Sequence, residues 1–243
     1  VVNRLEETSH LLGTHKGYMG YGPEKGTLDL RNKIAEVIYN NRVQADEIFI
    51  SDGSKCDVGR LLLLFSREEK IGVQDPTYPA YVDAAVIHGY SQNFIEETKQ
   101  YDRIHYLSCT PENDFFPNFS SLQKLDLLFF CSPNNPTGAV ATKEQLEELV
   151  SYAKNSETLI LFDRAYSDYI QDPSLPRSIY ELPEGRQRAI EMGSFSKMAG
   201  FTGLRLGWTV VPMDLKFQDG TSINETWNRI QSTIFNGASR IVQ

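Results

Sequence analysis

Asp126-Leu127-Leu128-Phe129-Phe130-Cys131-Ser132-Pro133-Asn134-Asn135-Pro136-Thr137-Gly138 is the stretch on which the fold turns. An unbroken apolar run follows Asp126 and stops at a polar turn punctuated by two prolines. A run so short, so apolar and so sharply ended reads as a strand over residues 126–131, buried on both faces as in parallel sheets.

The same grammar recurs on either side. Residues 47–50, 70–74, 158–162, 189–192 and 206–211 also read as strands. Most end at polar residues: Ser51-Asp52-Gly53-Ser54, Asp75-Pro76, Asp163 and Gly193-Ser194. Between them lie helical patterns. One spans 28–42, with Leu30, Ile34, Val37 and Ile38 on one face. Another starts at Ser54 and carries Val58 and the apolar residues 61–65, and a third spans 143–155. In this third helix Glu144, Glu147 and Glu148 fall on a solvated face. Alternating strands and helices predict an α/β fold, a mostly parallel sheet covered on both faces in three α/β/α layers. Ligands of such sheets bind at the carboxyl ends of the strands. Ser54, Lys55, Asp75, Asn135, Asp163, Ser194 and Lys197 are therefore expected to converge on one crevice.

Composition narrows the function. The chain has 243 residues, 40% hydrophobic and 23% charged, which is ordinary for a globular protein. Its formal net charge is -8 with no cluster of Lys and Arg, which argues against nucleic acid as a partner. The apolar runs are too short to span a bilayer, so no membrane partner is expected. Cys56, Cys109 and Cys131 have no disulfide or zinc spacing, which suits a reducing cytoplasm. His10, His15, His88 and His105 show no metal or triad spacing, and no metal is expected.

Four segments stand in a fixed order, each close to an expected strand: Ser132-Pro133-Asn134-Asn135-Pro136-Thr137-Gly138, Asp163-Arg164-Ala165-Tyr166, Ser194-Phe195-Ser196-Lys197 and Arg205-Leu206-Gly207-Trp208. Each alone is weak; together they resemble the class I aminotransferases of fold type I, which use pyridoxal 5'-phosphate (PLP). A narrower resemblance, to the LL-diaminopimelate aminotransferase family, runs from about Gly20 to Ser239. It rests on Tyr21-Gly22-Pro23-Glu24-Lys25-Gly26, Ser51-Asp52-Gly53-Ser54-Lys55-Cys56-Asp57, Asp75-Pro76-Thr77-Tyr78-Pro79-Ala80-Tyr81-Val82-Asp83, the segment 200–210 and Phe235-Asn236-Gly237-Ala238-Ser239. That family moves an amino group between LL-2,6-diaminopimelate and 2-oxoglutarate, in lysine and cell-wall precursor synthesis.

The resemblance implies a role for each residue, and the chemistry is reasonable. Lys197 would be the amine that carries the cofactor and shuttles a proton. Asp163 would keep the pyridine nitrogen protonated, because a nearby carboxylate favours the charged ring. Tyr166 and Asn135 would bond the ring's phenolic oxygen. Ser54, Lys55, Ser194 and Arg205 would bind the phosphate through a helix start, a hydroxyl and a planar fork, with Ser196 a weaker candidate. Tyr78 would stack on the ring, with Tyr81 competing for that place. Each has a plainer alternative: a surface lysine, a helix cap, a turn residue or a packing tyrosine.

Tyr21, Glu24 and Asn236 form a third group, which the resemblance places in the neighbouring subunit's site of a homodimer. There Tyr21 would touch the phosphate and Asn236 the distal end of the substrate. Glu24 would pair with the distal ammonium that only a diamino acid supplies; its plainer alternative is a solvent-facing turn residue. The resemblance divides the chain into the remnant of an N-terminal segment, 1–20, and a PLP-binding large domain, 21–243, with a smaller C-terminal domain expected beyond it. The arginine that grips the substrate's α-carboxylate has no match in the chain. Arg164 is a second departure, where the family carries a smaller residue; it is harmless if it points away from the ring. An aminotransferase of another specificity, a PLP β-lyase, or a PLP-binding chain without turnover would use the same Lys, Asp, Tyr and Arg set.

Overall fold

The computed structural model describes residues 1–18 and 20–243. Nine strands form among the described residues: β1 (Ile48–Ser51), β2 (Ile71–Asp75), β3 (Phe94–Ile95), β4 (Gln100–Tyr101), β5 (Ile104–Ser108), β6 (Leu127–Cys131), β7 (Leu159–Asp163), β8 (Ala189–Ser194) and β9 (Gly207–Val210). Seven of them make one sheet in the order β1-β9-β8-β7-β6-β2-β5, while β3 and β4 form a small hairpin. The stretch from β8 to β5 is parallel throughout, and β9 runs antiparallel to both of its neighbours. The mostly parallel sheet read from the sequence is the one that forms.

The helices are α1 (Val2–Leu12), α2 (Leu28–Lys33), α3 (Ser54–Leu61), α4 (Pro79–Ile87), α5 (Lys143–Ser156), α6 (Phe195–Met198) and α7 (Ile223–Ile234). Apart from α1, which buries no side chain, they pack on one or the other face of the sheet. In β6 the side chains alternate: Leu128 and Phe130 join the core under α5, with Leu146, Leu149 and Ala153, whereas Leu127, Phe129 and Cys131 join the core under α3, α4 and α7, with Val58, Tyr81 and Trp227. Ile160 and Phe162 of β7 repeat the first pattern, Leu159 and Leu161 the second. A strand with two buried faces needs apolar residues at every position, which is why β6 lacks alternation in its sequence. Each such fully buried side chain contributes roughly 1.5–3 kcal/mol.

The helix read over 28–42 is shorter and less regular than expected. After α2 the backbone widens to a π-helical turn over Ile34–Ile38, with Tyr39 N–H donating to the Ile34 carbonyl at 3.3 Å. The chain then leaves the helix through Asn40 and Asn41, both in the left-handed region at φ 48° and 59°. Asparagine tolerates that region better than most residues, so the pair ends the helix before Arg42. The α5 helix matches its expectation closely and starts with a capping box between Thr142 and Gln145. Its Glu144, Glu147 and Glu148 are exposed, as the charge run implied.

Candidate active site

Sheet register builds the site. Cys131 pairs with Asp163 and Asp163 with Met192 across the three central strands, while Gly207 is flanked by Ser194 and Ser51. The carboxyl ends of β6, β7 and β8 therefore stand level, and the turns that follow them open on one side. A crevice of about 290 Å³ lies there, lined by Ser54, Lys55, Tyr78, Tyr81, Cys131, Asn135, Asp163, Ala165, Tyr166, Ser194, Ser196, Lys197, Thr202 and Arg205. Six of the seven residues that the sequence placed at this edge line it, Ser54, Lys55, Asn135, Asp163, Ser194 and Lys197, and so do Tyr78, Tyr166 and Arg205, which the resemblance added. Asp75 does not line it. It ends β2, and one of its carboxylate oxygens accepts from Gln100 Nε2 at 3.3 Å.

One end of the crevice gathers groups of the kind that attract an anion, a helix start, hydroxyls and a guanidinium. Gly53, at φ 115°, caps α3, and Ser54 and Lys55 open that helix toward the cavity. Ser194 caps the short α6, its hydroxyl accepting from Ser196 N–H at 3.1 Å. Arg205 reaches across with Nη1 3.3 Å from Ser196 Oγ and 3.2 Å from the Thr202 carbonyl. Gly207 lets the strands and α3 close up: a Cβ there would lie 2.8 Å from Ser54 N, 2.9 Å from the Gly193 carbonyl oxygen and 2.9 Å from Gly53 Cα. Lys55, Lys197 and Arg205 put three cationic side chains around the cavity against one carboxylate, Asp163.

Asp163 sits at the floor, 5% exposed. Its Oδ1 accepts from Ala165 N–H at 2.9 Å and its Oδ2 from Tyr81 O–H at 2.7 Å. Burial pushes its carboxyl above the ordinary range, opposed by those two donors. Tyr81 is pushed well above the usual phenol range, first by burial and then by the charge of Asp163. The two aromatic candidates thus separate. Tyr81 is 1% exposed and stacks on Phe129 at 4.8 Å and 5°, committed to the core and to Asp163. Tyr78 lies edge-on to it at 5.6 Å, half-buried at the crevice wall, with Lys55 Nζ 5.9 Å from its ring centre.

The adjacent asparagines also divide their work. Asn134 is buried and shapes the turn: its Nδ2 donates to the Pro76 carbonyl at 3.2 Å and to Thr137 Oγ1 at 3.0 Å. Asn135 lines the crevice. Lys197 Nζ stands 5.5 Å from the centre of the Tyr166 ring. Arg164 points into the core instead. It is 4% exposed, donates from Nε to the Arg177 carbonyl at 3.1 Å, lies 3.5 Å from Glu191 Oε1, and faces the rings of Tyr39 and Trp208.

Tyr21, Glu24 and Asn236 lie outside the crevice of their own chain, all three exposed. Asn236, at φ 62°, leads into Gly237, whose Cβ would come within 3.5 Å of the Pro23 carbonyl and 3.8 Å of Glu24 Cα. Chain segments far apart in sequence thus bring Glu24 and Asn236 to one surface. Sequence reasoning missed Cys131, Ala165 and Thr202 as lining residues. Cys131 was within reach, because the last residue of a strand at the ligand edge borders the site.

The donor set fits PLP: an amine, a buried carboxylate held by two neutral donors, and an anion cradle into which a guanidinium reaches. The model of the family described as aminotransferase class I and II matches residues 1–239. The chain is 56% identical over 239 residues to the LL-diaminopimelate aminotransferase of Protochlamydia amoebophila, covering 98% of this chain and 58% of that protein. It is 48% identical over 244 residues to the chloroplastic LL-diaminopimelate aminotransferase of Arabidopsis thaliana, covering 100% of this chain and 53% of that protein. Among solved structures, the L,L-diaminopimelate aminotransferase from Chlamydomonas reinhardtii superimposes with a TM-score of 0.93 at 47% identity, covering 99% of this chain and 59% of that one. The chain spans somewhat over half the length of the relatives it matches. No helix among the described residues is long and apolar enough to cross a membrane. The chain belongs to the class I and II aminotransferase family.

Proposed function

We propose that this chain is the cofactor-holding part of a PLP-dependent LL-diaminopimelate aminotransferase, which exchanges an amino group between LL-2,6-diaminopimelate and 2-oxoglutarate. The observation that carries this reading is the single crevice in which Lys197, Asp163 and Arg205 meet. PLP, when bound, draws electrons from the substrate's α carbon, and the rest is positioning and proton management.

On this reading Lys197 would hold the cofactor through its aldehyde carbon and would move a proton at the substrate's α carbon. Asp163 holds a proton at the pyridine nitrogen. Tyr166 and Asn135 bond the phenolic oxygen, and Tyr78 covers one face of the ring. Ser54, Lys55, Ser194, Ser196 and Arg205 bind the phosphate, the arginine through a planar fork that matches it. Residues 21–243 then form the PLP-binding large domain, and 1–20 lead into it. Tyr21, Glu24 and Asn236 serve the partner's crevice in a homodimer, which accounts for polar residues gathered on a surface away from their own site. A cytoplasmic setting agrees with the three free cysteines.

Specificity rests on Glu24, and its substitution tests the proposal. In the full-length enzyme, Glu24→Gln is expected to spare PLP binding and to lower kcat/KM for LL-diaminopimelate by roughly tenfold or more relative to glutamate, because a buried cation loses its charged partner. An unchanged ratio of the two amino donors would favour an aminotransferase of other specificity on the same site.

A further inference from the structure

The carboxylate that faces the crevice is held in an unusual way. A buried carboxylate ordinarily pairs with a cation. Asp163 instead has two neutral donors, one on each oxygen: Ala165 N–H on Oδ1 and Tyr81 O–H on Oδ2. The Tyr81 contact joins residues 82 positions apart in sequence, and the first turn of α4 places it. Tyr81 N–H donates to the Tyr78 carbonyl at 3.1 Å, so both tyrosines share the first turn of the helix. The Tyr81 ring lies flat on Phe129 of β6, the strand next to the one that ends in Asp163. Ring and hydroxyl are therefore fixed independently of any ligand.

The choice of a neutral donor has a chemical meaning. A lysine or arginine at this point would neutralise Asp163 and compete with any cation arriving from the crevice. A hydroxyl stabilises the ionised carboxylate while leaving its charge uncompensated. We infer that Tyr81 is a positioning residue, whose hydroxyl fixes the plane of the Asp163 carboxylate and keeps it ionised for a protonated ring nitrogen. The inference rests on the PLP reading of the crevice. It concerns a residue whose sequence position suggested only that it competes with Tyr78 for the ring face.

Tyr81→Phe tests it, since phenylalanine keeps the stack on Phe129 and removes only the hydroxyl. Two readouts are taken on the chain with PLP: the PLP dissociation constant, and the 15N chemical shift of PLP labelled at the pyridine nitrogen. Tyr81→Phe is expected to raise the dissociation constant by up to roughly tenfold, because the bond is present in the empty chain too and only its strengthening when Asp163 faces a protonated ring counts. The 15N signal should move toward that of the unprotonated ring. In an Asp163→Asn background the same substitution should add almost nothing to either readout. Unchanged affinity and 15N shift in Tyr81→Phe would overturn the inference while leaving the PLP reading intact. So would a loss of stability on Tyr81→Phe that is equal in the wild-type and Asp163→Asn backgrounds, because Tyr81 would then serve packing alone. A wild-type chain with no Lys197-dependent PLP binding would remove the reading and the inference together.

Discussion

Arg205 Nη2 fills the space beside Gly53: a Cβ on that glycine would lie only 2.3 Å from it. The glycine also sits at φ 115°, which side chains rarely adopt. Two demands thus meet at one residue, a backbone turn into α3 and room for a guanidinium. Gly53→Ala is expected to cost about 1–3 kcal/mol of stability from backbone strain. It should also displace Arg205 and weaken binding of PLP and of inorganic phosphate alike. Urea unfolding and phosphate titration check the two effects separately. A stable Gly53→Ala chain with normal phosphate affinity would show that Arg205 takes its place without the glycine.

Arg164 and Glu191 form a pair in the core, 4% and 0% exposed. Glu191 Oε2 also accepts from Ser178 Oγ at 2.7 Å and from Ile179 N–H at 2.9 Å. Burial pushes the Glu191 carboxyl up, and Arg164 opposes that shift. Removing one partner leaves the other charge buried alone. Arg164→Met should therefore lose about 3–5 kcal/mol, a large part of a typical domain's stability. Arg164→Met with Glu191→Gln should recover much of that loss. Chemical denaturation of the single and double variants measures it. A single variant within about 0.5 kcal/mol of wild type would mean that the pair contributes little.

Asp163 predicts a pH dependence for the cofactor-free chain. Its carboxyl titrates above the ordinary range in the folded state, chiefly through burial. The folded chain then holds a proton that the unfolded chain releases, so this group's contribution is full below the unfolded carboxyl's range and is lost as pH rises through the folded value. Asp163→Asn removes that loss. Without PLP it should be more stable than wild type at neutral pH, and the gap should close as pH falls below about 4. Thermal melts across that range decide it. A wild-type chain more stable than Asp163→Asn at neutral pH would reverse the sign. The same carboxylate would thus weaken the empty chain and serve the loaded one.

The sheet was legible because its strands are buried on both faces: 127–131 and 159–162 are apolar without interruption, and each run ends at a polar turn. The crevice was legible for the same reason, since residues that follow parallel strands must share one edge. Less was visible elsewhere. The helix α4 gives little periodic signal, because its apolar residues are spread around it: Tyr81 is buried while Ile87 is 81% exposed. The strand β5 and the helix α7 also went unread. A helical pattern of apolar residues registers neither the π-helical turn at Ile34–Ile38 nor the exit through Asn40 and Asn41 that comes after it. The bond from Tyr81 to Asp163 depends on two elements packing together, and no local pattern encodes such a contact. Motif position favoured Tyr78 over Tyr81 for the ring face, and in the structure Tyr81 is committed to Asp163 and Phe129.

On the proposed reading Lys197 holds PLP in this crevice and an amino donor displaces it. The most direct measurement is the absorbance spectrum of the chain with PLP, before and after LL-diaminopimelate is added, with Lys197→Ala beside it. A visible band that needs Lys197 and disappears when the diamino acid is added is the predicted result. A band of equal strength in Lys197→Ala, or no band in either chain, would contradict it.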